Sequence, residues 1–564
     1  MAWLTILSTT GALLFTCLGY LVHIVYNHRC RINELRKQGI PMPKQWSWIT
    51  GHLLVLQKYV DRIPPDAAVA FAMRDLCEEF ADTELFLMDF WPVYPPLFTV
   101  FGPGPISQIC NKYNLPKTAI ASQFMRPITG GPNLITMNGD EWKYWRSLFN
   151  PGFSTGAMLN NVPHIVDSVL VFREKLIGMV GKGMFSLDEL ATKLTMEIIL
   201  KVTLDDDSHY QNSPNVLATA LGRILSWHSF WDPRVLMHPF RPLVQWYNGH
   251  IMNNYIRREL ERRFQEIKAA HAVDANGMQG KPKAIKSVTT LALEAYMAET
   301  PEVDILHSER LDERFAHYVT CQIRLFLFAG TDTTASIMVY IYHMLAKHPE
   351  WLRKLRDEHD EVFGQDPDVA ASVLKESPSL LNNCKFTVAF IKEVLRIYGP
   401  AGTMRSGLPG FTVTDHQGNK QPMEYAGANI LHQALHVNSR VWLRANEFLP
   451  ERFLVGPADE LRPDPAAYRP FEQGPRNCIG QTLVWNELRV AVILTCRELE
   501  IRDAYDEFDA NRESELSVVE KIKRTLFGQT IKTVHGERAY QTDSGGLHPA
   551  NGYPCYVKWA KCEW

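Results

Sequence analysis

The segment Arg469-Pro470-Phe471-Glu472-Gln473-Gly474-Pro475-Arg476-Asn477-Cys478-Ile479-Gly480 constrains this chain more than any other. Its Gly and Pro residues mark a loop, and Ile479, Leu483, Val484, Leu488, Val492 and Ile493 continue it as a helical pattern. Cys478 therefore sits at a helix N-terminus. Unpaired N–H groups and the positive end of the helix dipole there favour the thiolate, the form that binds metal. Gly474 and Gly480 let the backbone pass close to a flat ligand, and Arg476 offers a fixed charge to an acidic group on it. The ten cysteines include no C-x-x-C pair. That excludes a zinc ribbon, argues for reduced thiols facing the cytosol, and leaves Cys478 to act alone.

Phe471-x-x-Gly474-x-Arg476-x-Cys478-x-Gly480 resembles the haem-binding signature of the cytochrome P450 superfamily. The resemblance implies haem b held by Cys478 as axial thiolate and metal ligand, with Phe471 among the haem-binding residues. It covers nearly the whole chain from Pro41, and four further segments agree with it in the family's order. Ala329-Gly330-Thr331-Asp332-Thr333-Thr334 lies within a long apolar helical pattern, where Gly and β-branched residues are poor helix formers. A local violation of that kind marks function. The resemblance gives Gly330 the task of making room for dioxygen and Asp332 and Thr333 that of relaying protons. It also makes Glu393, Arg396 and Arg452 a buried structural ion triad. Trp142 and Arg146, together with Arg405 and Arg476, are its expected contacts to the haem propionates.

From Ala2 to Tyr26 the chain carries no Asp, Glu, Lys or Arg. Those residues as a helix span about 37 Å, enough for a bilayer core of about 30 Å. Residues 2–26 read as a transmembrane signal anchor, 27–43 as a basic and proline-containing linker, and 44–564 as the catalytic domain. Arg29, Arg31, Arg36 and Lys37 follow the span and place that side in the cytosol. The expected location is the endoplasmic reticulum membrane, single-pass, with the catalytic domain cytosolic. Helical spacing runs through Asn160–Val180, Phe185–Val202, Asn215–Trp227, Val244–Ala270, Leu311–Lys347 and Pro349–Phe363. Short β-like pieces occur at Gly410–Thr414, Asn429–Leu431 and Tyr553–Lys558. The fold class is mainly α with small β-sheets, the cytochrome P450 fold behind one N-terminal membrane helix. Val273–Lys286 and the acidic Asp503–Glu520 read as surface insertions.

With 59 basic against 62 acidic residues the chain has no bulk positive field for nucleic acid. No G-x-G-x-x-G follows a strand, so electrons come from outside. NADPH-cytochrome P450 reductase is the implied partner. Trp227, Phe230, Trp231, Phe240, Trp246 and Tyr247 form an aromatic stretch suited to a bilayer surface. An apolar, fairly large organic substrate follows, and the pattern resembles fungal members acting in secondary metabolism. A haem-thiolate isomerase or dehydratase working without a reductase, and a non-catalytic haem-binding protein, are the alternatives; the intact Asp332–Thr333 pair favours the monooxygenase. His432 and His436 have metal-binding spacing only if helical, and their surroundings read as strand and turn.

Overall fold

The computed structural model describes residues 2–229, 233–274, 286–299, 308–517, 531–543 and 545–561. Phe230 and Trp231, most of the 273–286 insertion and the end of the acidic one at Glu520 lie outside the described residues. The strands are β1 (Leu85–Met88), β2 (Leu97–Val100), β3 (Phe185–Ser186), β4 (Thr403–Arg405), β5 (Thr412–Thr414), β6 (Lys420–Pro422), β7 (Gly427–Ile430), β8 (Leu499–Asp503) and β9 (Pro554–Trp559). The chain forms two compact units.

The first unit comprises residues 1–62, 72–115 and 403–431. Its four-stranded sheet has the order β1-β2-β7-β4, with β2 and β7 parallel and the other pairs antiparallel. Strands β5 and β6 form a separate hairpin. Helix α1 (Ala2–Lys37) enters this unit. The expected span ends at Tyr26, but the helix runs eleven residues further, through the stretch read as linker. The reason is a long-range ion pair: Arg29 is fully buried and its guanidinium bonds the Asp89 carboxylate and the carbonyls of Trp48, Ile49 and Trp91. From Thr10 to Lys37, α1 contains a window apolar enough to cross a membrane, none of it buried by protein.

The second unit comprises residues 63–71, 116–402 and 432–564. Its helices include α2 (Gly139–Phe149), α3 (Val162–Met179), α4 (Leu187–Leu204), α5 (Arg241–Asp274), α6 (Glu313–Lys347), α7 (Lys385–Ile397) and α8 (Gln481–Thr495). The sheet is antiparallel throughout, in the order β3-β9-β8. Helix α6 is the axis of the core and packs along α4. Asp312 caps it by accepting from the Phe315 N–H at 2.7 Å. Like Glu313–Lys347, several expected helices shift at their ends for local reasons. Asn160–Val180 splits at Asn161, with Pro163 starting α3. Phe185 pairs with Cys555 in the sheet, and Ser186 then caps α4 by accepting from Glu189 N–H at 3.2 Å. The acidic stretch is the end of β8 and a helix, Tyr505–Glu515.

Candidate active site

The cysteine loop is braced before it reaches α8. Glu472 and Gly474 have φ of 55° and 76°, the left-handed region that turns the chain back. The Cys478 N–H closes the loop on the Phe471 carbonyl at 2.9 Å. Arg469, fully buried, donates to Glu472 at 2.5 Å and to Gln473 at 3.2 Å. Cys478 stands two residues before Gly480, the N-cap of α8, and is exposed. The sequence expectation of a lowered pKa is not met by the thiol alone. The mass of protein around it pushes the Cys478 thiol up, while the Gly480 N–H and the Arg146 guanidinium pull it down more weakly. Metal binding at such a thiol releases its proton.

Helix α2 brings Trp142 and Arg146 to this loop, four residues apart and so on one face. Arg146 donates to Asn477 O at 3.1 Å and Oδ1 at 3.2 Å, and to Asn150 Oδ1 at 2.8 Å. Arg476 lies over the Trp142 ring, 4.0 Å from its centre, and donates to Met137 O at 2.8 Å and Asn138 Oδ1 at 3.2 Å. Trp142, Arg146, Phe471, Arg476 and Cys478 thus converge. Arg405 belongs to the first unit. It is fully buried, and none of its three guanidinium nitrogens has a hydrogen-bond partner among the described residues.

Between Val319 and Leu345 every residue of α6 is buried except Ala329, Gly330 and Thr333. Spaced i, i+1 and i+4, these three share one face. Thr333 Oγ1 donates to Ala329 O at 2.8 Å, the back-bond that bends a helix. The direction a side chain would take from Gly330 is filled by Ile199 of α4, so packing also demands glycine there. Asp332 points elsewhere: its Oδ1 bonds His548 Nε2 at 2.9 Å, and His548 Nδ1 bonds Asp188 at 2.7 Å.

Glu393 and Arg396 on α7 and Arg452 are all fully buried. The carboxylate accepts from Arg396 Nε and Nη2 at 2.8 and 2.7 Å, from Arg452 Nε at 3.1 Å and from Leu449 N–H at 2.9 Å. Arg396 also donates to His436 O and Ala445 O, both at 2.7 Å. This is the structural triad expected from the sequence.

A sequence model of the cytochrome P450 family matches residues 41–527. The chain belongs to the cytochrome P450 family. Cytochrome P450 monooxygenase polC of Polytolypa hystricis is 37% identical over 545 residues, 95% of this chain and 92% of that protein. Cytochrome P450 monooxygenase acrF of Aspergillus aculeatus is 29% identical, covering 84% of this chain and 94% of its own. Mouse cytochrome P450 4F3 is 25% identical, with 91% and 93% covered. As a P450 the protein is a haem-thiolate monooxygenase with a cysteine ligand to haem b. Such monooxygenases use a redox-partner reductase and organic substrates.

The residues present fit the group that this P450 requires. The Cys478 thiol is exposed ahead of α8, and the Arg146 and Arg476 guanidiniums beside its loop offer the fixed positive charge that a propionate calls for. Other candidate clusters have structural tasks. His432 begins a short helix, correcting the strand-and-turn reading, and its ring stacks on His436. His436 Nε2 accepts from the Arg469 N–H at 3.1 Å, and His432 Nδ1 meets Ala401 O at 2.9 Å. Glu358, His359 and Cys384 lie together, but the Glu358 carboxylate caps α7 through Phe386 and Thr387. Burial takes His359 down to about 3 and keeps it neutral. Sequence reasoning missed Asn477 as the holder of Arg146, although it adjoins Cys478. It missed His548 and Asp188 for want of any local signal, His548 lying 216 residues from Asp332.

Proposed function

We propose that this P450 is tethered to the endoplasmic reticulum membrane by α1, single-pass, with its catalytic part in the cytosol, and that Cys478 ligates the haem iron. The observation that carries the site is the place of Cys478: an exposed thiol on a braced loop ahead of α8, flanked by Arg146 and Arg476. Bound there, haem supplies the reductive activation of dioxygen that a thiolate ligand favours. The chain's own residues do the rest. Arg146, Trp142 and Arg476 orient the propionate edge. Ala329 and Gly330 keep one face of α6 open for dioxygen and substrate, and Asp332 and Thr333 move protons to that face.

Electrons come from NADPH-cytochrome P450 reductase, since the sequence holds no nicotinamide or flavin fingerprint of its own. The substrate is an apolar, fairly large organic molecule of fungal secondary metabolism. Phe240, Leu243, Trp246 and Tyr247 at the start of α5 are exposed, an apolar patch that suits a bilayer surface from which such molecules arrive. Turnover of a fungal polyketide and terpenoid panel under oxygen-18 gas, with NADPH and reductase, tests the reading. The expected product carries one labelled oxygen. Product formed without NADPH and reductase contradicts it.

A further inference from the structure

Asp332 and its neighbour Thr333 face different surroundings. Thr333 lies on the open face of α6, whereas the Asp332 carboxylate meets the C-terminal loop. There His548 bridges two acids, Nε2 to Asp332 at 2.9 Å and Nδ1 to Asp188, in the first turn of α4, at 2.7 Å. A ring that donates from both nitrogens is an imidazolium. Burial alone would lower its pKa, but the Asp188 and Asp332 carboxylates hold it well above the ordinary histidine value. Gly545, at φ 67°, and Gly546 press on the same carboxylate, and a Cβ on either would collide with Asp332 oxygens. The second oxygen, Asp332 Oδ2, is buried and has no hydrogen-bond partner among the described residues. The acid is held through one oxygen, and the other is uncommitted.

We propose that His548 is a positioning residue for proton delivery: with Asp188 it holds Asp332 against the C-terminal loop and stores the proton that Asp332 passes toward Thr333. One proton moves from His548 Nε2 to Asp332 Oδ1, and no electron is transferred. His548 becomes neutral and keeps its Nδ1 proton on the Asp188 bond, while Asp332 becomes a neutral acid. Bulk water then restores the Nε2 proton at the ring itself, whose side chain is 12% exposed. Side-chain exposure has the required gradient, 17% at Asp188, 12% at His548 and 8% at Asp332. The inference rests on the reading of Asp332 and Thr333 as the proton-delivery pair.

The test uses the full-length haem-loaded enzyme with reductase and NADPH and no added substrate. It reads hydrogen peroxide released per NADPH and the solvent hydrogen-isotope effect on NADPH consumption. His548→Asn is expected to slow NADPH consumption on the order of tenfold, less than the roughly 10²–10⁴-fold typical of a proton-transfer group because His548 acts through Asp332, and to raise both readouts. Asp188→Asn, which leaves the ring in place, is expected to move both in the same direction and decides the matter if His548→Asn does not fold. The Asp332→Asn/His548→Asn double variant should behave no worse than Asp332→Asn alone, in both readouts and in thermal unfolding of the ferric protein. Native peroxide fraction and isotope effect in both single variants, or additive effects in the double, would overturn the proposal. Wild-type enzyme that consumes no NADPH with reductase marks instead a failure of the underlying monooxygenase reading.

Discussion

Ile199 occupies the place that a Cβ on Gly330 would take: Ile199 Cγ1 is 2.8 Å and Cδ1 2.9 Å from that position. Ile199 is itself buried, so it has little freedom to yield. Gly330→Ala is therefore expected to cost about 1–3 kcal/mol as an overpacked core. In an Ile199→Ala background the same change should cost clearly less, because Cγ1 and Cδ1 are gone. Chemical denaturation of the four proteins checks the coupling, and equal costs in the two backgrounds would contradict it.

Glu393 is the one carboxylate seen between Arg396 and Arg452, and all three are fully buried. Glu393→Gln removes the charge that both guanidiniums share and is expected to destabilise the fold by about 3–5 kcal/mol. By contrast, the Asp140–Lys143 pair on α2 is exposed. Asp140→Asn should leave the unfolding midpoint where it is. Thermal melts of both variants make the comparison.

Asp543 gives the second unit a pH dependence. Burial raises its pKa to about 6, against the pull of the Val69 N–H it accepts at 3.1 Å. The folded pKa lies above the unfolded one, so the native state binds the extra proton. Stability is fully present below about pH 4 and is lost as pH rises through about 6. The charged form then costs on the order of 3 kcal/mol. Asp543→Asn should raise the melting temperature at pH 7.5 and leave it unchanged near pH 4. A uniform shift at both would contradict the assignment.

How far the sequence could be read followed the range of the interactions. The axis of the core was legible as Leu311–Lys347 because one long apolar run is a local signal. The observed helix, Glu313–Lys347, differs only at its start. The cysteine loop and the Glu393-x-x-Arg396 pair are likewise contiguous. What stayed hidden was set by distant partners. The extension of α1 past Tyr26 depends on Asp89, sixty residues away in the chain. The four-stranded sheet joins strands from both sides of residue 400, and apart from β7, which Asn429–Leu431 overlaps, each is too short to show a period. Arg469 tying Glu472 and Gln473 into the loop, and His548 joining Asp188 to Asp332, are side-chain geometry that no spacing rule encodes.

The central claim is that Cys478, and no other thiol, carries the haem. Cys496, the fully surrounded thiol 3.7 Å from His359 Nδ1, is the natural control. The measurement is the carbon-monoxide difference spectrum of the reduced protein, with haem content determined on the same samples. Native enzyme and Cys496→Ala are predicted to show the red-shifted Soret band of thiolate-ligated haem, and Cys478→Ala to lose both band and haem. A Cys478→Ala protein that keeps the band would contradict the account.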